Sequence, residues 1–311
     1  MSAVTQPLVP VLALILAGFL LQRTNFLAPA FWPSAEKLTY FLLMPAMLIH
    51  NLAGKKIGDL PWLKILVTVE GGILLSAVLV LLWWASNRDL DGPAFTSLFQ
   101  GGVRFNTFVA LALAENLYGA DGLFVAALGA GFMILLINVL CVTAFSLTVT
   151  GGARPTPGKI ALDLLRNPLI IGCAVGVGLN ATGLKLPVAL DGILSLSGRA
   201  AFPLGLLAVG AAYRAGNLVQ HRKTLVVSSV IQFVIKPAAA WWLATVLGLT
   251  GMAVCVAILL FSVPTAPTAY ILSRQMGGDH ESMASIITVQ TCLSFLTLPV
   301  TLWLMQGLPH G

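Results

Sequence analysis

Gly101-Gly102-Val103-Arg104-Phe105-Asn106-Thr107 is the stretch whose reading decides the fold. It lies inside an apolar run, yet it holds paired glycines, a cation and an amide. Hydrocarbon offers no hydrogen bonds, so backbone that unwinds at membrane depth must be buried in protein or line a cavity. A charge at the centre of a spanning helix costs about 2.5–3.5 kcal/mol on insertion scales. Arg104 therefore reads as part of a binding or transport pathway. The competing reading is a structural pin, bonded to carbonyls of neighbouring helices.

The surrounding chain fits a polytopic, all-α membrane protein. Its 311 residues are 58% hydrophobic and 9% charged, with a mean hydropathy of +0.94; soluble domains carry about 25% charged residues. The first apolar run, Val9 to Leu21, has no basic region before it and no small-residue cleavage site after it, so it reads as a mature helix. Cys141, Cys173, Cys255 and Cys292 stand singly in apolar runs and read as small buried residues. His50, His221, His280 and His310 are scattered. No metal site, cofactor or enzyme motif is visible. Gly172, Gly176 and Gly178 resemble small-residue helix packing. The net charge of +6 lies mostly in loops and does not suggest nucleic acid.

A spanning helix needs about 20 mainly apolar residues. Ten segments qualify, roughly 8–22, 36–53, 62–85, 95–115, 122–148, 166–181, 188–213, 223–247, 250–275 and 283–307. A constant offset of 158 aligns the two halves, 1–150 and 151–311. It carries Pro10 onto Pro168, Pro45 onto Pro203, Trp83-Trp84 onto Trp241-Trp242, and Gly119 onto Gly277. Five spans in each half would place the second copy upside down, the inverted-repeat plan of many secondary transporters. The offset sets Phe261-Ser-Val-Pro-Thr-Ala-Pro-Thr268 against the first break, and its two prolines predict a second break. Basic residues number ten in one set of loops and four in the other, which predicts both termini outside.

On Arg104-Phe-Asn-Thr107 with Tyr118-Gly, and on Pro264-Thr-Ala-Pro-Thr268 with Gly277 and Thr291-Cys-Leu-Ser294…Leu298-Pro299, the sequence resembles the auxin efflux carrier family. It is similar to its short bacterial members, described as malonate- or malate-type permeases. The resemblance covers nearly the whole chain. It implies a scaffold of spans 1, 2, 6 and 7, a homodimer, and a transport unit of spans 3–5 and 8–10. Broken spans 4 and 9 would cross there, and the substrate carboxylate would sit at the crossing. It also implies an acidic support site in span 3, where Glu70 stands, and a polar crossover position in span 5, matched by Asn138. A bacterial inner membrane location follows from the same resemblance.

The residues suit an anion independently of the resemblance. Arg104, Arg199 and Lys236 face one clear intramembrane acid, Glu70. Arginine presents a planar fork to a carboxylate. A half-helix starting near Thr107 would aim free N–H groups and its positive end at the crossing. Asn106, Thr107, Asn138, Pro264, Thr265, Pro267 and Thr268 are the expected partners at that point. Glu70 and Lys236 are candidates for coupling or charge balance, with an ion pair and a snorkelling lysine as the plainer readings. Gln290 is a weaker candidate, Arg199 reads as structural, and His50 as interfacial. A carrier of small organic anions is the leading expectation. An anion channel using the same crossing as a filter is the alternative.

Overall fold

The structure, a computed structural model, describes residues 8–53, 61–87, 89–149, 158, 162, 165–166, 168–212 and 221–307. The turn-rich midpoint connector and several loop cations used for orientation, Lys55, Lys56, Arg88, Arg154, Lys159 and Arg214, lie outside the described residues.

The described elements are helices: α1 (Leu8–Arg23), α2 (Phe31–Leu38), α3 (Met44–Ala53), α4 (Trp62–Ser86), α5 (Gly92–Val103), α6 (Thr107–Thr148), α7 (Pro168–Thr182), α8 (Val188–Ala211), α9 (Arg222–Val230), α10 (Lys236–Val246), α11 (Gly251–Ser262), α12 (Thr268–Gln275) and α13 (His280–Met305). Each of the expected segments coincides with helix over most of its length. Five stretches are long and apolar enough to cross a membrane: Trp62–Ser86, Gly92–Thr148, Val188–Ala211, Arg222–Val246 and His280–Met305. Val9–Arg23 and Gly251–Ser262 are shorter apolar helices.

Local chemistry sets where these helices start and stop. Asp91 caps α5 by accepting from the Ala94 N–H at 2.9 Å, with Pro93 in the first turn, where a missing donor is harmless. Asp279 caps α13 through the Ser282 N–H at 2.9 Å. Wide π-helical turns, Thr39–Leu43 and Ile231–Ile235, join α2 to α3 and α9 to α10. Each ends two residues before a proline, Pro45 or Pro237. Proline lacks an N–H and crowds the carbonyl four residues back. The wider turn relieves that conflict without stopping the helix.

Some backbone features recur in the two halves, one residue off the 158 offset at the breaks and on it at a glycine pair. α5 and α11 are both 12 residues long. Each ends in an extended residue, Arg104 (φ −72°, ψ 163°) or Val263 (φ −82°, ψ 154°). Gly119 and Gly277, aligned by the offset, both take a positive φ, 63° and 74°, a conformation nearly reserved for glycine. Gly119 kinks α6, and Gly277 lies in the turn between α12 and α13.

Packing sorts the helices into two groups. α3 packs chiefly on α7, and α8 chiefly on α1 and α3. α2 packs on α8 and belongs to the same group. The other helices pack among themselves, with α4, α5, α6, α10 and α11 at their centre, and α6 meets the first group. Within the first group backbones nearly touch. A Cβ on Gly18 would fall 2.0 Å from the Leu207 carbonyl oxygen, and one on Gly210 would fall 1.8 Å from that of Ile15. Gly172 and Gly176 meet Pro45 and Leu52 in the same way, as expected of small-residue packing, whereas nothing approaches Gly178. Cys141 and Cys255 are buried, but Cys292 is exposed on α13, which corrects the expectation that it is a core residue. Large apolar side chains such as Leu82, Leu196, Val234 and Leu296 face outward, as on helices bathed in lipid.

Candidate functional site

Two chain breaks meet. α5 stops at Val103, and residues 104–106 run extended before α6 begins. α11 stops at Ser262, and residues 263–267 are non-helical before α12 begins. The paired glycines are not the unwound part. Gly101 and Gly102 remain helical and let other elements close in, with Cβ positions 2.8 Å from Ile286 Cγ2 and 3.1 Å from Val80 Cγ2. The Asn106 N–H donates to the Pro264 carbonyl at 2.7 Å, so the two breaks are joined directly.

Neighbouring helices satisfy the backbone groups that the breaks release, as apolar surroundings require. The Gln290 amide accepts from the Thr265 N–H at 3.0 Å and donates to the Gly101 carbonyl at 2.9 Å. The Gln232 amide donates to the Val263 carbonyl. Lys236 Nζ donates to the carbonyls of Val103 (3.2 Å) and Arg104 (3.1 Å) and to Gln232 Oε1 (2.8 Å). The Thr265 hydroxyl reaches the Gln100 carbonyl at 3.4 Å. The Asn106 side chain caps α6 by accepting from the Val109 N–H at 3.3 Å.

A cavity of about 410 Å³ opens beside this crossing. Its polar wall holds Arg104, Thr107, Asn138 and Thr268; α2 contributes Glu36 and Lys37, and the π turn after it contributes Tyr40. Phe105, Ile134, Ile137, Ile271 and Leu272 make the remainder largely apolar. Arg104 is half-buried. Its guanidinium donates to Gln100 Oε1 at 3.3 Å, while the Gln100 amide donates to Ser273 Oγ at 2.8 Å. Gln100 therefore aims the guanidinium and ties it to α12. A guanidinium has five N–H donors, which leaves capacity for an anion in the cavity.

The structure brings Arg104, Thr107, Asn138 and Thr268 to one cavity wall. Asn106, Pro264 and Thr265 stand behind that wall and hold the breaks together. Pro267 precedes α12 between the cavity-lining Ala266 and Thr268. Lys236 is fully buried at the crossing. Glu70 is half-buried on α4 and does not line the cavity. Gln290, weighed as a weak candidate, proves to be a brace. Sequence reasoning missed Gln100 and Gln232. The available signal was position: each lies four residues before a cation, Arg104 or Lys236, within bonding reach of it.

A second cavity of about 370 Å³ is lined by His50, Asn51, Glu115, Asn116 and Arg199. Glu115 is thus a further acid that the count of intramembrane charges omitted. His50 Nδ1 lies 2.7 Å from Asp191 Oδ1, linking α3 to α8. Among the described residues, no group of three or more His, Cys, Asp and Glu side chains is arranged to hold a metal ion.

An apolar helical bundle with two joined breaks beside a cationic cavity is suited to membrane transport, and comparison with known proteins agrees. The family model described as "Membrane transport protein" matches residues 154–302. A protein of Methanothermobacter thermautotrophicus named "Uncharacterized transporter" is 24% identical over 303 residues, covering 95% of this chain and 96% of its own. A Rhizobium meliloti protein named "Putative malonate transporter" is 22% identical over 322 residues, covering 99% and 97%. An uncharacterized transporter of Methanocaldococcus jannaschii is 22% identical over 306 residues, covering 95% and 96%. The family resemblance read from the sequence is borne out: the chain is similar to membrane transport proteins along nearly its whole length, and its second half matches their family model.

Proposed function

We propose that the protein is a secondary carrier that moves a small organic anion, a carboxylate, by alternating access. The observation that carries this reading is the Arg104 guanidinium on the wall of the cavity at the crossed breaks, flanked by Thr107, Thr268 and Asn138. A carboxylate there accepts paired bonds from Arg104, and the start of α6 adds its positive helix end. Asn106, Pro264, Thr265 and Pro267 position that wall. A malonate-sized dicarboxylate is the first candidate, because one similar protein carries that substrate in its name.

The halves 1–150 and 151–311 are inverted repeats of five spans, with α5–α6 and α11–α12 as the crossed breaks. The group of α1, α2, α3, α7 and α8 serves as the scaffold and forms a homodimer. The remaining helices are the moving unit, and the separate packing of the two groups supports this division. Glu70 carries a coupling proton, and Lys236 balances charge at the crossing. The protein sits in a bacterial inner membrane with both termini outside.

The test is uptake of labelled malonate into proteoliposomes. A carrier gives saturable uptake that unlabelled malonate inside the vesicles accelerates. Single-channel current steps without such counterflow would replace the carrier reading with an anion channel.

A further inference from the structure

The ammonium of Lys236 is fully buried, and its position is specified from several sides. It has three N–H donors. Its three acceptors are the Val103 and Arg104 carbonyls and Gln232 Oε1, at 2.8–3.2 Å. Two of these oxygens are backbone carbonyls at the C-terminal end of α5, where the helix dipole concentrates negative charge. The Phe261 ring centroid lies 5.6 Å from Nζ, on the far break's own helix α11. All three acceptors are uncharged oxygens, so the positive charge answers dipoles and not an acid. Neutral carbonyl and amide oxygens around a fixed positive charge form the coordination shell of a hard monovalent cation. Here that charge is tethered to the chain.

We propose that Lys236 is a built-in cation: it occupies an alkali-cation site of carbonyl and amide oxygens at the α5 break. The break is therefore organised without an ion from solution. Two elements place the lysine. The π turn Ile231–Ile235 sets Gln232 beside it, and Pro237 follows at once. Vacating the ammonium leaves an oxygen shell that a small monovalent cation fills. A lysine that acts only as a hydrogen-bond donor makes the opposite forecast, since sodium and potassium donate no hydrogen bonds and cannot then replace it, whereas ammonium can.

The experiment compares Lys236→Ala, which opens the site, with Lys236→Met, which fills it with an uncharged chain. Thermal unfolding of each purified protein is followed in sodium, potassium, ammonium and choline chlorides at one ionic strength. The unaltered protein should melt at one temperature in all four salts. Lys236→Ala should melt several degrees lower in choline, and sodium or potassium should restore most of the loss with saturation, while restoration by ammonium alone would mark a hydrogen-bond donor and overturn the site. Lys236→Met should be lowered equally in every salt. These readouts need no substrate, so they stand apart from the carrier reading, whose failure would appear in the uptake assay. If Lys236→Ala does not survive purification in choline, its recovery in sodium or potassium supports the site. Failure to recover it in either, or a lowered melting temperature that neither alkali cation raises, overturns the proposal.

Discussion

Arg104 stood out in the sequence because a charge inside an apolar segment is costly, and it lines the cavity, while the structural-pin reading stays open to test. Its geometry divides binding from stability. A bond to Gln100 aims it, and the residue lines the cavity. Arg104→Gln should therefore weaken malonate binding by about 2–5 kcal/mol, the usual cost of leaving a buried charge without its partner. Arg104→Lys keeps the charge but loses the fork and should not restore affinity. Calorimetric affinity measured beside the melting temperature decides the matter: unchanged affinity with lost stability would make Arg104 a pin. The braces were harder to read. Gln100, Gln232 and Gln290 are neutral amides that hydropathy barely marks, and their value lies in which backbone groups they satisfy. That is set by partners more than 20 residues away, such as Val263 for Gln232 and Gly101 for Gln290.

At the scale of the helix, both breaks were foreseen at the right places, but for reasons that differ in detail. Pro264 and Pro267 do lie in the second break. In the first, the unwinding falls on residues 104–106, while the glycines before it stay helical and pack. A glycine pair signals either unwinding or close approach, and only the neighbours distinguish them. The π turns were not foreseen, because a proline announces a kink without fixing its form. Contact between helices yields a sharp contrast. Gly210→Ala drives a methyl group into the Ile15 carbonyl and should cost about 1–3 kcal/mol as overpacking. Gly178→Ala meets nothing and should be neutral or stabilise by about 0.5–1 kcal/mol, the helix preference for alanine. Melting temperatures of the two variants in one detergent check this; equal losses would contradict the close approach of α1 and α8.

For the whole molecule, hydropathy located the helices, and the 158-residue register anticipated paired features such as the left-handed Gly119 and Gly277. The sorting of the helices into two groups was expected from the family resemblance alone, since α1 and α8 meet through backbone contacts that leave little trace in composition. Neither hydropathy nor the register placed α2 and its π turn against the crossing, where Glu36, Lys37 and Tyr40 complete the cavity. With Lys236 already seated on the α5 carbonyls, transport should not require sodium. Uptake into proteoliposomes should persist when choline replaces sodium on both sides, and strict dependence on a sodium gradient would show otherwise.

The two cavities lie towards opposite ends of the α2–α3 path, one reached from Lys37 and Tyr40, the other from Met47 and His50. On α6, Thr107 belongs to the first and Ala112 to the second, a separation of about 7–8 Å along the helix. Were the two cavities to fill with water from opposite sides of a membrane, the voltage would fall almost entirely across that thin septum. Each elementary charge crossing it then exchanges about 2.3 kcal/mol with the field per 100 mV. An anion held at Arg104 would thus traverse nearly the full voltage while moving only a few ångströms relative to its binding residues.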